Sequence, residues 1–227
     1  MNQILPRFIL VLIIGGIFIG SQPKSIPVAS AADANQVILG IQKRYARATT
    51  LAADFVQMYH DRTGRVIREA GSLQLKRPGR MRWEYREPKN KIFLSDGKQT
   101  YFYLPLEKRV VIEPVKAGRD PRTPFLFLLG RNNLKEDFSR FELGGESPTK
   151  AQNLVIRMWP RRSVENLAEI RVECDPTTFQ LARISLLQTS GERSDFLLTN
   201  VVENAALADA LFTFSAPSDV RVERVGS

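Results

Sequence analysis

Between Gly71 and Tyr103 the chain reads GSLQLKRPGRMRWEYREPKNKIFLSDGKQTYFY. From Arg80 to Arg86 the alternation is strict: Met81, Trp83 and Tyr85 share one parity, and Arg80, Arg82, Glu84 and Arg86 the other. Large apolar residues at period two on one side predict a half-buried strand. The segment before it places Leu73, Leu75 and Arg77 at one parity, so a cation follows two leucines onto the same face at the strand's end. Pro78-Gly79, Pro88-Lys89-Asn90 and Asp96-Gly97 supply turn chemistry between the strands.

The same pattern continues along the chain. Val37, Ile38, Ile41 and Tyr45 recur at three- and four-residue spacing and predict a helix over 33–49. Strands are predicted over 51–59, 65–76, 108–115, 137–143, 153–159, 167–174, 179–187, 194–202 and, as a last short one, 211–214, separated by Gly, Pro and Asp turns. Thr123 and Pro124 form a helix start ahead of PFLFLL, which is apolar all round and ends at Gly130. Such a segment must cover something apolar, either as a plug in a core or as a lid over a cavity. About eleven strands against two or three short helices predict one antiparallel sheet, long enough that it must curl. A curled sheet with an apolar concave face is a half-open, incomplete barrel.

Residues 1–31 stand apart. Arg7 precedes an apolar run from Phe8 to Ile19, and Ala29-Ser30-Ala31 offers a small-residue cleavage site. This predicts a secretory signal peptide followed by a single domain over 32–227, the other reading being an uncleaved N-terminal anchor. The full chain of 227 residues carries a net charge of +9, about +7 without Arg7 and Lys24. Its cations are scattered along strands, without a recognition helix, zinc-finger spacing or Arg-rich arm, which argues against nucleic acid. A basic exterior suits anionic headgroups or an acidic partner, or is simply solvated.

Candidate chemistry is sparse. The one cysteine, Cys174, falls on the apolar parity of Ala168, Ile170 and Val172 and reads as a small buried residue. The one histidine, His60, precedes the turn Asp61-Arg62-Thr63-Gly64 and reads as loop. There is no nucleophile elbow, no metal-binding His pair and no phosphate-binding Gly loop, so no catalysis, metal or cofactor is expected. What remains is the apolar face itself: Leu73, Leu75, Met81, Trp83 and Tyr85, then Phe93, Tyr101 and Tyr103 from the next two strands. By pattern alone these residues either pack on one another and on the helices or line a receptacle.

KRPGRMRWEYREP, then LSDGKQTYFY, then Thr123-Pro124-Phe125, in that order and spacing, resemble the LolA family of periplasmic outer-membrane lipoprotein carriers, over residues 45–214. Met81 stands where relatives usually carry an aromatic. The resemblance implies an incomplete barrel closed by a helical lid, here Tyr45, Phe125, Phe127, Leu128 and Leu129, over a cavity for lipoprotein acyl chains. It also implies that Arg77, in the K-R-P motif, latches the lid by bonding backbone carbonyls near Leu128, Leu129 and Tyr45; read from the turn alone, Arg77 is an exposed arginine. The implied partners are acylated lipoproteins, an inner-membrane lipoprotein-releasing ABC transporter and an outer-membrane acceptor, with the carrier a monomer in the periplasm. A lipid-binding or lipid-sensing module on the same scaffold is the other reading.

Overall fold

The Asp33 side chain caps α1 (Ala34–Ala46) by accepting from the Asn35 backbone N–H at 3.0 Å. A computed structural model describes residues 33–115, 134–162 and 166–225. The strands are β1 (Thr50–His60), β2 (Val66–Lys76), β3 (Arg80–Glu87), β4 (Lys91–Asp96), β5 (Gln99–Leu104), β6 (Arg109–Pro114), β7 (Phe138–Leu143), β8 (Leu154–Pro160), β9 (Leu167–Cys174), β10 (Leu181–Gln188), β11 (Arg193–Glu203) and β12 (Arg221–Arg224). A single helical turn, α2 (Leu134–Asp137), precedes β7, and 3-10 turns lie at Pro105–Glu107 and Asp209–Phe212.

All twelve strands form one open sheet in the order β12-β6-β5-β4-β3-β2-β1-β11-β10-β9-β8-β7. Every neighbouring pair is antiparallel except β12, which runs parallel to β6. The sheet is strongly curled, as its aromatic contacts require. Trp83 on β3 and Phe196 on β11 are three strands apart, about 14 Å on a flat sheet. Their ring centroids nevertheless lie 5.2 Å apart, and both rings meet Phe55 of β1, at 4.9 and 6.3 Å.

Gly71 makes room for this bend. A Cβ there would sit 2.0 Å from the Glu84 carbonyl oxygen. The register between β2 and β3 shifts by one residue at the same point, between Ala70 and Gly71. A bulge with a glycine at a close backbone approach is the usual device for curving a strand pair.

The concave face carries one continuous core. It runs from Phe93 on β4 through Trp83, Leu73, Phe55, Phe196, Ile184 and Val172 to Met158 on β8, and α1 lays Val37, Ile38, Ile41 and Tyr45 onto it. Each fully buried aliphatic side chain contributes about 1.5–3 kcal/mol. Cys174 belongs to this face, fully buried as its parity predicts, and burial pushes its thiol up to about 12.

Two features near the C-terminus differ from the sequence reading. The stretch predicted as a last strand at 211–214 is instead occupied by the end of the 3-10 turn Asp209–Phe212 and an extended tail. The actual last strand, β12, is the charged tetrapeptide RVER, whose apolar content gives no strand signal. Its pairing comes from β6: the Arg221 N–H donates to the Lys108 carbonyl at 2.8 Å, and the Arg109 guanidinium meets the Glu223 carboxylate at 2.7 Å.

Candidate functional site

The predicted apolar floor assembles on the concave face. Leu73 and Leu75 stand on β2, paired with Trp83 and Met81 on β3, and Trp83 pairs in turn with Phe93 on β4. All five are buried to within 2% of full coverage. Tyr85 continues the line, its ring edge-on to Phe55 at 5.0 Å.

Tyr101 and Tyr103 do not join them. Phe93 pairs with Phe102, whereas Tyr101 pairs with Leu94 and Tyr103 with Ile92. Directly opposed residues in an antiparallel pair project to the same face. The two tyrosines therefore lie on the convex side, where both rings pack on Phe214 at 5.3 and 5.4 Å. The Tyr101 hydroxyl donates to Asp96 Oδ2 at 2.9 Å, and burial together with that carboxylate raises its pKa. Phe102 is the residue that packs against the concave core. A signal for this was present in the chain. A two-residue turn at Gly97-Lys98 pairs every odd-numbered residue of one strand with an even-numbered residue of the other, so Phe93 faces Phe102 and neither tyrosine.

The helix across this face is held mainly through its last turn. The Arg77 guanidinium Nη2 donates to the Tyr45 carbonyl at 3.0 Å, and its Nε is buried without an acceptor among the described residues. The Tyr45 hydroxyl accepts from the Leu181 N–H at 3.0 Å, and burial pushes its pKa up to about 12. Arg44 donates to Glu203 Oε1 at 2.6 Å and to the Thr178 carbonyl at 2.9 Å. Where α1 crosses Phe179, its residue is Gly40, and a Cβ there would lie 2.5 Å from that ring. Tyr45 is thus a buried residue of α1, and Arg77 reaches its main chain. Phe125, Phe127, Leu128 and Leu129, the rest of the expected lid, lie outside the described residues.

Phe55, Phe196 and the branched residues of β8, β9 and β10 complete the apolar face and were not singled out from the sequence. Their signal is ordinary strand alternation, which marks a buried side without saying which strands share it. Among the described residues, no three His, Cys, Asp or Glu side chains are grouped so as to hold a metal ion, and no helix is long and apolar enough to cross a membrane. His60 ends β1 and lies 3.4 Å from Asp195 rather than in a free loop. The site is therefore an extended apolar surface under a helix tethered by hydrogen bonds to main-chain and charged groups.

Comparison with known proteins agrees with this architecture. The sequence profile of the outer membrane lipoprotein carrier protein LolA matches residues 46–215. An outer-membrane lipoprotein carrier protein of Idiomarina loihiensis is 28% identical over 189 residues, covering 81% of this chain and 85% of the relative. One from Haemophilus influenzae is 29% identical over 184 residues, covering 81% and 84%. Among solved structures, an uncharacterized conserved protein from Thermus thermophilus shares the fold with a TM-score of 0.53 at 14% identity, covering 85% of this chain and 99% of that one. With the profile spanning most of the chain, and with the K-R-P strand turn and aromatic strand in place within it, the protein belongs to the LolA family of outer membrane lipoprotein carriers.

Proposed function

We propose that this protein is a periplasmic carrier that shields the acyl chains of lipoproteins on its concave face and moves them from the inner to the outer membrane. The observation that carries the reading is the continuous apolar floor of Leu73, Leu75, Met81, Trp83 and Phe93, covered by a separate helix in a chain of this family.

The energetics suit the task. Each methylene withdrawn from water is worth about 0.8 kcal/mol, so two or three acyl chains exposed to water carry a penalty on the order of tens of kcal/mol. A carrier has only to replace water, and it must also release its cargo. Aromatic rings and Met81 around a curved floor can repack to accept chains without locking them in place.

Arg77 supplies a clasp for the cover. A single hydrogen bond of about 3 Å from its guanidinium to the Tyr45 carbonyl ties the turn after β2 to α1, a bond to a charged donor worth roughly 1.5–3 kcal/mol. In this mechanism Phe125, Phe127, Leu128 and Leu129 form the remainder of the lid. Entry of an acyl chain lifts the helix, breaks the clasp and exposes the floor, so binding energy is converted into opening. Residues 1–31 direct export and leave the mature chain at residue 32. An inner-membrane ABC transporter loads the carrier and an outer-membrane acceptor unloads it.

The test is release from spheroplasts. Purified 32–227 is added to cells making a labelled lipoprotein, and the soluble fraction is assayed for a complex. Wild type is expected to bring lipoprotein into solution. Arg77→Leu is expected to load and to transfer onward at an altered rate, because the closed state has lost its clasp. Unchanged loading and transfer by the variant would remove the latch; absence of any soluble complex with wild type would remove the carrier reading.

A further inference from the structure

The apolar floor has a definite end. Beyond the Tyr85 ring the same face carries Gln57 on β1, Glu69 on β2 and Lys91 on β4, as the pairings Gln57 with Glu69 and Tyr85 with Lys91 require. These four side chains form one connected group. The Tyr85 hydroxyl donates to Gln57 Oε1 at 2.9 Å. Lys91 Nζ donates to both oxygens of Glu69, at 2.6 and 2.8 Å, and stands 4.2 Å from the centre of the Tyr85 ring. The Lys91 and Glu69 side chains are only 22% and 17% exposed.

Charges withdrawn this far from water at the edge of an apolar surface are costly to keep. Their arrangement has a chemical meaning. An apolar channel ending in a bare ammonium is a receptor for fatty-acid carboxylates and for phospholipid phosphates. Glu69 cancels that charge one for one, with both oxygens engaged. The remaining group presents the Gln57 carboxamide N–H as a hydrogen-bond donor, its oxygen engaged by the Tyr85 hydroxyl, in a field of zero net charge. That suits an uncharged acceptor, such as the ester and amide carbonyls that join acyl chains to a lipid-modified cysteine.

We infer that the Glu69–Lys91 pair is a charge filter at the end of the acyl-binding floor, selecting neutral ester- and amide-linked acyl groups over anionic amphiphiles. The inference rests on the carrier reading and names the part of the ligand that this end of the site takes. Specificity here comes from rejection: an anionic head placed against Tyr85 would meet a carboxylate already occupying the only ammonium of the group.

The experiment uses the delipidated mature chain and two probes, a triacylated cysteine amide without charge and oleate. Direct binding of each is measured for wild type, Glu69→Gln and the double variant Glu69→Gln/Lys91→Met. Wild type is expected to bind the neutral lipid in preference to oleate. Glu69→Gln, nearly isosteric, should shift the ratio of oleate to neutral-lipid affinity about tenfold toward oleate, as an uncompensated cation beside an apolar surface does. Removing Lys91 as well should abolish the gain. An equal ratio in wild type and Glu69→Gln, with the neutral lipid still bound, overturns the filter and leaves the carrier reading standing. Loss of neutral-lipid binding in Glu69→Gln also overturns it, since the pair then serves structure. If wild type binds neither probe, the carrier reading fails and the filter with it.

Discussion

The two halves of the convex face solve one problem in different ways. Over β4 to β6 the outer surface is apolar: Leu94 and Val110 are fully buried there, with Ile112, Tyr101 and Tyr103 beside them. What buries them is the C-terminal tail. Phe212 is 1% exposed, Phe214 packs on the two tyrosines, and Asp209 fastens the tail through Lys76 at 2.6 Å and Arg80 at 2.8 Å. Over β7 to β11 the convex surface is a charge ladder. Arg140, Arg157, Arg171, Arg183 and Arg193 interleave with Glu142, Glu146, Glu169, Glu173 and Asp195, five against five among the described residues. Glu146, from the β7–β8 connection, receives three guanidiniums. Arg140 and Arg157 both lie over the Trp159 ring, at 3.7 and 4.7 Å.

The difference teaches what an open, curled sheet needs on its outside. One half borrows a segment of chain as cover. The other lays long arginine stems across its strands, with their charged ends paired, and so covers itself. Single exposed pairs contribute little, about 0–1 kcal/mol. A ladder whose members share partners and sit partly out of water holds strand to strand more firmly.

The largest test strikes the ladder at its buried end. Glu173 is 1% exposed and accepts from the Thr149 N–H and hydroxyl and from Asn153 Nδ2, besides pairing with Arg183 at 3.1 Å. Glu173→Ala should destabilise by about 3–5 kcal/mol in urea unfolding, because these donors, the Lys150 N–H and a guanidinium lose their acceptor together. Next comes Phe212→Ala, which removes the buried ring under the tail and should cost about 3 kcal/mol. Limited proteolysis should then cut within 205–225 while the ladder half stays protected. If cutting instead spreads through β8 to β10, the two halves are not independent.

Acid should sharpen the contrast with the smallest effect. Burial opposes ionisation of Glu169 and Glu173, but hydrogen bonds and guanidiniums outweigh it and hold both carboxyls below their usual 4.5. A depressed folded-state pKa means that the stabilisation is present above about 4.5 and is lost as pH falls below it. Hydrogen-exchange protection, taken relative to the intrinsic rate at each pH, should therefore fall between pH 7 and pH 3 in β8 to β10 more than in β3 to β5. Equal change in both halves would mean that the ladder adds nothing beyond its exposed pairs.

Much of this was legible in the chain, and apart from the local β4–β5 hairpin the failures were of one kind. Met81, Trp83 and Tyr85 on one side of β3, Leu73 and Leu75 on one side of β2, and the buried parity of Cys174 all follow from period two, which is a property of a few consecutive residues. The curl followed from strand count, and the family from the K-R-P turn and the aromatic strand. The side taken by Tyr101 and Tyr103 did not follow from alternation, because YFY is apolar on both parities. Only the hairpin register to β4 chooses between them. The covering role of 209–214 and the strand at 221–224 depend on a face and an edge made by residues a hundred positions earlier. Nor could the sequence pair Lys91 with Glu69, since both read as solvent positions until β2, β3 and β4 are laid side by side. Local alternation decides which side of a strand is apolar. Which strands share that side, and what then covers the other, is set by pairing between distant segments, and that the tertiary structure alone decides.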